Sequence, residues 1–236
     1  MRNLIDLSPN ISNKNRSIKS INYVIIHYTG MQSEIESINW LKNSKSKVSC
    51  HYLINRKGYV IQMAKENKVA WHAGKSRWKK LKNLNNISIG IELVNKGHQY
   101  GYENFTKLQI DSVISLCLKL KKKFKIDKEN FLGHSDIAPL RKIDPGEKFP
   151  WKRLSKFNLG KWYKFNKKAK IPKDVSEKYK LFFKSLNKIG YRYFKINKRS
   201  YTDKEIIKAF QRKFTPKKIN GKIDDFTFKI SQSLID

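Results

Sequence analysis

The chain has 236 residues, with 52 Lys and Arg against 19 Asp and Glu, a formal charge of +33, and is 39% hydrophobic and 12% aromatic. That apolar content excludes a disordered polycation, the length suits one large domain with a small appendage, and no apolar run approaches the roughly 18–20 residues that cross a bilayer. The charge does not name a nucleic-acid binder: 43 cations are Lys and nine are Arg, they divide as +15 over residues 1–150 and +18 over 151–236, and specific base reading favours Arg.

Tyr23-Val24-Ile25-Ile26 is a short, β-branched apolar run and predicts a buried strand ending at His27. Ser33 and Glu36 form a capping-box pattern that starts a helix through Trp40 and Leu41. His51–Asn55 and Tyr59–Met63 flank Arg56-Lys57-Gly58, a hairpin signal. In Ile87–Val94 the isoleucines alternate with Ser88, Gly90 and Glu92, so Glu92 faces away from the apolar set. Thr106 and Gln109 cap a long helix with Val113, Leu116, Cys117, Leu120 and Phe124 on one face. Lys121–Lys123 fall at its end, where cations favour the helix dipole.

The stretch 133–146 holds His134, Asp136, Lys142 and Asp144 among Gly and Pro, and predicts a loop. Trp151–Asp174 is Lys-rich and aromatic with little periodicity, and predicts a linker able to pack on the first domain. Three short helices follow, Ser176–Ile189, one capped by Thr202 and carrying Ile206, Ile207, Phe210 and Phe214, and Asp225–Leu234. Alone they make a bundle with a marginal core. The expected fold class is α/β (α+β), a central mixed β-sheet flanked by helices plus a small C-terminal three-helix bundle, with domains at 1–165 and 172–236.

Five histidines are present: His27, His51, His72, His98 and His134. His27 stands where a buried strand gives out, the usual place for functional groups in open sheets. The loop around His134 reads either as a polar turn cluster or as half of a metal site. Hydrolytic zinc takes three protein ligands and leaves one position for water. His27, His134 and Asp144 could supply them, although spacing alone does not choose between the two readings.

Several blocks, in order, resemble the zinc-dependent N-acetylmuramoyl-L-alanine amidases, the family related to peptidoglycan recognition proteins and phage amidase-type lysozymes. They are Val24–Thr29 (VIIHYT), Ser49–Ile54 (SCHYLI), Ala70–Gly74 (AWHAG), Ile87–Glu92 (ISIGIE), and Gly133–Pro139 (GHSDIAP) running on through Arg141–Gly146 (RKIDPG). The resemblance covers Ile21 to about Trp151. A weaker one, to a peptidoglycan-binding three-helix domain, rests on Leu186–Tyr191, Ala209–Arg212 and Asn220–Asp224.

The resemblance implies that His27, His134 and Asp144 bind one catalytic zinc ion, that Glu92 is the catalytic carboxylate, and that Lys142 stabilises developing charge. Trp71 and His72, in the Trp-His-Ala-Gly block, are implied substrate contacts. His51 is expected to be structural or to support a ligand, Cys50 to be a buried thiol, and His98 has no assigned role. The implied substrate is peptidoglycan or an anhydro-muropeptide, cut between muramic acid and L-alanine in cell-wall turnover or recycling. The alternative is a peptidoglycan binder of the same fold that does not cut. A monomer without specific nucleic-acid binding or a transmembrane segment is expected. Met1–Asn10 shows no continuous apolar leader and the two cysteines no disulfide framework. The expected compartment is therefore the cytoplasm, or the periplasm should the true start include a leader.

Overall fold

The computed structural model describes residues 3–13, 15–166 and 169–235. It opens with a short strand the sequence does not announce, β1 (Asn3–Ile5), followed by β2 (Tyr23–Tyr28), α1 (Glu34–Lys42), β3 (Tyr52–Ile54) and β4 (Val60–Gln62). A two-residue pair, β5 (Arg77–Trp78) and β6 (Leu81–Lys82), precedes β7 (Ser88–Leu93), α2 (Lys107–Phe124), β8 (Phe131–Gly133) and a single-turn helix α3 (His134–Ile137). Then come α4 (Trp151–Ser155), α5 (Val175–Ile189), α6 (Asp203–Phe214) and α7 (Asp225–Ser233). None of the described helices is long and apolar enough to cross a membrane.

Six strands form one mixed sheet in the order β1-β4-β3-β7-β2-β8. The hairpin partners β3 and β4 run antiparallel, while β3, β7, β2 and β8 are mutually parallel neighbours. Period two divides the strands between two faces. Val24 and Ile26 of β2, with Ile89, Ile91 and Leu93 of β7, pack against Val113, Leu116, Cys117, Leu120 and Phe124 of α2. Burying each large apolar side chain contributes about 1.5–3 kcal/mol, which makes this face the main anchor of the sheet. Thr106 and Gln109 close the expected capping box at the start of α2.

The opposite face is shared. Beneath β3 and β4, Leu53, Ile61, Cys50 and Met63 pack with Leu41 of α1. Beneath β2 and β8, Tyr23, Ile25 and Leu132 join Ile137, Ala138 and Trp78 in one continuous core with Phe182, Leu186, Ile206, Phe210 and Phe214 of the C-terminal helices. The bundle therefore does not depend on a marginal core of its own. Sequence periodicity shows which positions of a helix are apolar, but not which surface they cover.

Other expectations are corrected. The stretch 133–146 is not wholly a loop, because α3 fits one turn between Gly133 and Ala138 before Pro139. Trp151–Asp174 packs on the first domain, as expected of it, but carries regular structure that its weak periodicity does not predict. Its first part contains α4, and Trp151, Leu154 and Leu159 are buried in the α2-side core. Residues 167 and 168 of that stretch, and residues 1, 2, 14 and 236 within the expected domain bounds, lie outside the described residues. Thr202 makes no side-chain cap; instead the Ser200 backbone N–H donates to Asp203 Oδ2 at 3.1 Å.

Candidate active site

Strand register gathers the site. In the parallel pair β2–β7, His27 stands opposite Glu92, so both side chains leave the same sheet face at the carboxyl ends of their strands. In β2–β8, Ile26 stands opposite Gly133, which makes His134 the first residue past β8, level with His27. Asp144 arrives on the following loop, tied to α3 by the Ser135 N–H donating to its backbone carbonyl at 2.9 Å. Functional groups collect outside the carboxyl ends of parallel strands because the loops there can approach one another.

His27, His134 and Asp144 are buried, with one potential ligand atom from each lying within 4.8 Å of the others. His27 Nδ1 is 2.9 Å from Asp144 Oδ2, His134 Nδ1 is 3.1 Å from it, and the two Nδ1 atoms are 3.0 Å apart. Hydrogen-bond logic assigns the tautomers. The Ser88 hydroxyl donates to Leu84 O at 2.6 Å, so its oxygen accepts from His72 Nε2–H at 3.2 Å. His72 Nδ1 then accepts from His27 Nε2–H at 3.1 Å, which leaves His27 Nδ1 a bare lone pair. His134 Nε2 lies 3.1 Å from the carbonyl of Ala73, nearer than the Arg141 guanidinium at 3.4 Å, which itself donates to that carbonyl at 2.9 Å; donation from Nε2–H to Ala73 leaves Nδ1 bare as well.

Two lone pairs and a carboxylate oxygen thus converge without a proton among them. A cation resolves that repulsion, and two imidazoles with one carboxylate suit a hydrolytic metal. Burial is the largest influence on His27 and lowers its pKa to about 4, although Asp144 pulls the other way. His27 is therefore neutral and able to ligate at pH 7.

Glu92 lies beside this cluster, 7% exposed, with a buried Oε2 that has no hydrogen-bond partner. Burial, then the charge of Asp144, pushes its pKa up to about 8, against the opposing charge of Lys142. An unpartnered, proton-retaining carboxyl suits proton transfer better than structural support. Lys142 lines the same groove, a cleft of about 670 Å³, together with Trp71 at 37% exposed. The groove is also walled by Trp40, half-exposed on α1, which carries no motif to reveal its position.

His72, the other expected substrate contact, lines the same groove. It is buried at 4% exposed, and its nitrogens contact His27 and Ser88, so that it also fixes the direction of the His27 ring. Gly90 is the reason it fits, since a Cβ there would lie 2.3 Å from His72 Cγ. Gly90→Ala is expected to cost about 1–3 kcal/mol by overpacking, measured by urea unfolding. His51 is buried, its Nδ1 accepting from the Gly90 N–H at 3.0 Å and its Nε2 lying 3.1 Å from Lys68 O. His98 stands at the rim between the Tyr28 hydroxyl at 3.0 Å and Glu147 at 3.1 Å, and Cys50 is a buried thiol.

Sequence reasoning does not single out Ser88, Gly90 or the Ala73 carbonyl as parts of the site. The alternation of β7 places Ser88 and Gly90 on the Glu92 face, which is the available signal. The Ala73 carbonyl is backbone and leaves none.

Residues 17–147 match the family described as N-acetylmuramoyl-L-alanine amidase. The amidase AmiD of Escherichia coli (strain K12) is 32% identical over 92% of this chain and 83% of its own length. The 1,6-anhydro-N-acetylmuramyl-L-alanine amidase AmpD of Haemophilus influenzae is 42% identical, over 45% of this chain and 56% of its own. The solved structure of E. coli AmiD with the substrate anhydro-N-acetylmuramic acid-L-Ala-D-gamma-Glu-L-Lys superposes with a TM-score of 0.80 at 30% identity, covering 95% of this chain and 91% of that one. With its parallel-strand site inside the matched segment and its fold shared almost end to end with AmiD, this chain belongs to the N-acetylmuramoyl-L-alanine amidase family.

Proposed function

We propose that the chain is a zinc-dependent hydrolase that cuts the amide between the lactyl group of N-acetylmuramic acid, or its 1,6-anhydro form, and L-alanine of the stem peptide. The observation that carries this reading is the convergence of three proton-free ligand atoms beside a buried, unpartnered carboxyl oxygen of Glu92. His27 Nδ1, His134 Nδ1 and Asp144 Oδ2 would hold the ion. When bound, zinc supplies Lewis acidity, lowering the pKa of water towards neutrality and polarising a carbonyl.

The protein's own groups handle the protons and the charge. Glu92, whose ionised form the charge of an ion held there would favour, accepts a proton from the attacking water as the new carbon–oxygen bond forms. It then delivers that proton to the alanine nitrogen as the carbon–nitrogen bond breaks. Lys142 places a cation where the carbonyl oxygen gathers negative charge. Trp71 offers an exposed aromatic face for a sugar or peptide backbone at the groove wall. Groove, ligands and proton carrier all come from a single chain, so a monomer suffices. Residues 1–165 would form the catalytic unit. Residues 172–236, whose motifs resemble a peptidoglycan-binding domain, would hold wall fragments nearby and raise their local concentration.

Incubation with intact peptidoglycan and with soluble anhydro-muropeptides, followed by mass analysis, tests this reading. The expected products are free stem peptide and peptide-free muramic acid, and prior chelation abolishes their release. Stoichiometric zinc binding without product from either substrate would favour the non-cutting binder instead.

A further inference from the structure

The carboxylate of Asp136 joins the metal-site helix to the C-terminal bundle. Asp136 lies in α3, two residues after His134, and is 1% exposed. Its Oδ2 accepts from the Gly133 N–H at 2.8 Å, which holds the turn that presents His134. Its other two partners come from the bundle. The Tyr191 hydroxyl donates to Oδ1 at 2.5 Å, and Lys213 Nζ donates to Oδ2 at 2.6 Å. Both residues are buried, Tyr191 at 0% and Lys213 at 5% exposed.

The surroundings make this a clamp and not a passing contact. Lys213 Nζ sits 4.2 Å from the centre of the Trp151 ring, and Trp151 in turn covers Gly133, where an added Cβ would lie 3.4 Å from Trp151 Cζ2 and 2.8 Å from Pro145 Cδ. Tyr191 packs edge-on against Trp78 at 5.0 Å. A buried ammonium and a buried carboxylate each require the other, because neither can recover the water it has lost. Around them the apolar core runs without a break from β2 and β8 into α5 and α6. A wall-binding module on a tether would meet its neighbour through a smaller, more polar surface that leaves it free to move.

We infer that the C-terminal bundle is a positioning element of the metal site: through Lys213 and Tyr191 it holds Asp136, and through Asp136 the turn that aims His134 at His27 and Asp144. This inference rests on the metal reading given above. It makes Lys213, Tyr191 and Asp136 positioning residues for a ligand they do not touch.

The test uses the full chain and zinc ions in competition with a chromophoric chelator of known affinity. The variants are Lys213→Met and Tyr191→Phe, studied at a temperature where near-ultraviolet circular dichroism shows native packing. Zinc Kd is expected to rise at least tenfold in Lys213→Met and severalfold in Tyr191→Phe. Should Lys213→Met fail to fold, Tyr191→Phe carries the test, because it keeps the ring and removes only the hydroxyl. A Kd within twofold of the parent, with only the melting temperature lowered, would overturn the inference and leave the bundle a packing partner. A parent chain that binds no zinc would overturn the metal reading and this inference together; parental binding with unaffected variants overturns this inference alone.

Discussion

Glu92→Gln is expected to keep zinc at one equivalent and lose turnover by roughly 10²–10⁴-fold, the range that general acid–base catalysis supplies. Glutamine preserves the shape of the side chain and cannot carry the proton. Glu92 supplies none of the three converging ligand atoms, so Kd for zinc should stay within a few-fold of the parent. Elemental analysis and product release measured on one preparation check both halves. An active Glu92→Gln protein would remove the proposed proton path.

The same substitution has a pH signature in the metal-free protein. The folded-state pKa of Glu92, about 8, is raised by burial and by Asp144 from an ordinary value of 4.5. The folded protein therefore holds a proton that the unfolded chain has released. The stability this gives is fully present below about pH 4.5 and is lost as pH rises through 8. The side-chain amide of the Glu92→Gln variant does not titrate, so the difference in stability between parent and variant should shift steadily in favour of the variant across that window. Thermal unfolding in chelator at several pH values measures it. The histidines, which titrate over that range in the unfolded chain, are common to both proteins, so their contribution largely cancels in the difference.

Asp144→Asn is expected to fail in the opposite way, losing metal before it loses chemistry. Zinc sites with a full set of protein ligands contribute roughly 10–16 kcal/mol in small peptides, or about 3 kcal/mol per ligand, and every 1.4 kcal/mol is a factor of ten. Replacing the only anionic ligand should therefore raise zinc Kd by roughly 10²-fold. Asp144 Oδ2 also lies within 2.9 and 3.1 Å of both imidazoles, so the variant loses the anion that balances the bound dication. Direct titration with zinc ions separates this from the Glu92→Gln result: activity in Asp144→Asn should depend on added zinc, and in Glu92→Gln it should not. Parent-like zinc affinity in Asp144→Asn would place the ion elsewhere.

Much of the frame is legible because it depends on local periodicity. The apolar run before His27, the alternation through Glu92, and the cap and stripe of α2 each follow from the spacing of neighbouring residues, and all three elements stand where that spacing puts them. The order of the motif blocks carries the family and the identities of the candidate ligands. Pairwise placement is not legible. Nothing in the chain states that β2 lies between β7 and β8, yet that order alone sets His27 level with both Glu92 and His134. The motif names His72 but gives no direction for its side chain; only the hydrogen bonds to His27 and Ser88 show how its ring is held at the groove.

The sequence by itself determined which groups could do chemistry here: two imidazoles and an aspartate for an ion, a glutamate for a proton, a lysine for developing charge. Only the tertiary structure decided that bare lone pairs face one another, and that a lysine and a tyrosine near the end of the chain brace the turn that carries one ligand. The reason is physical. Periodicity and capping act over a few residues, whereas tautomers, burial and ion pairing depend on atoms brought together from positions tens to more than a hundred residues apart.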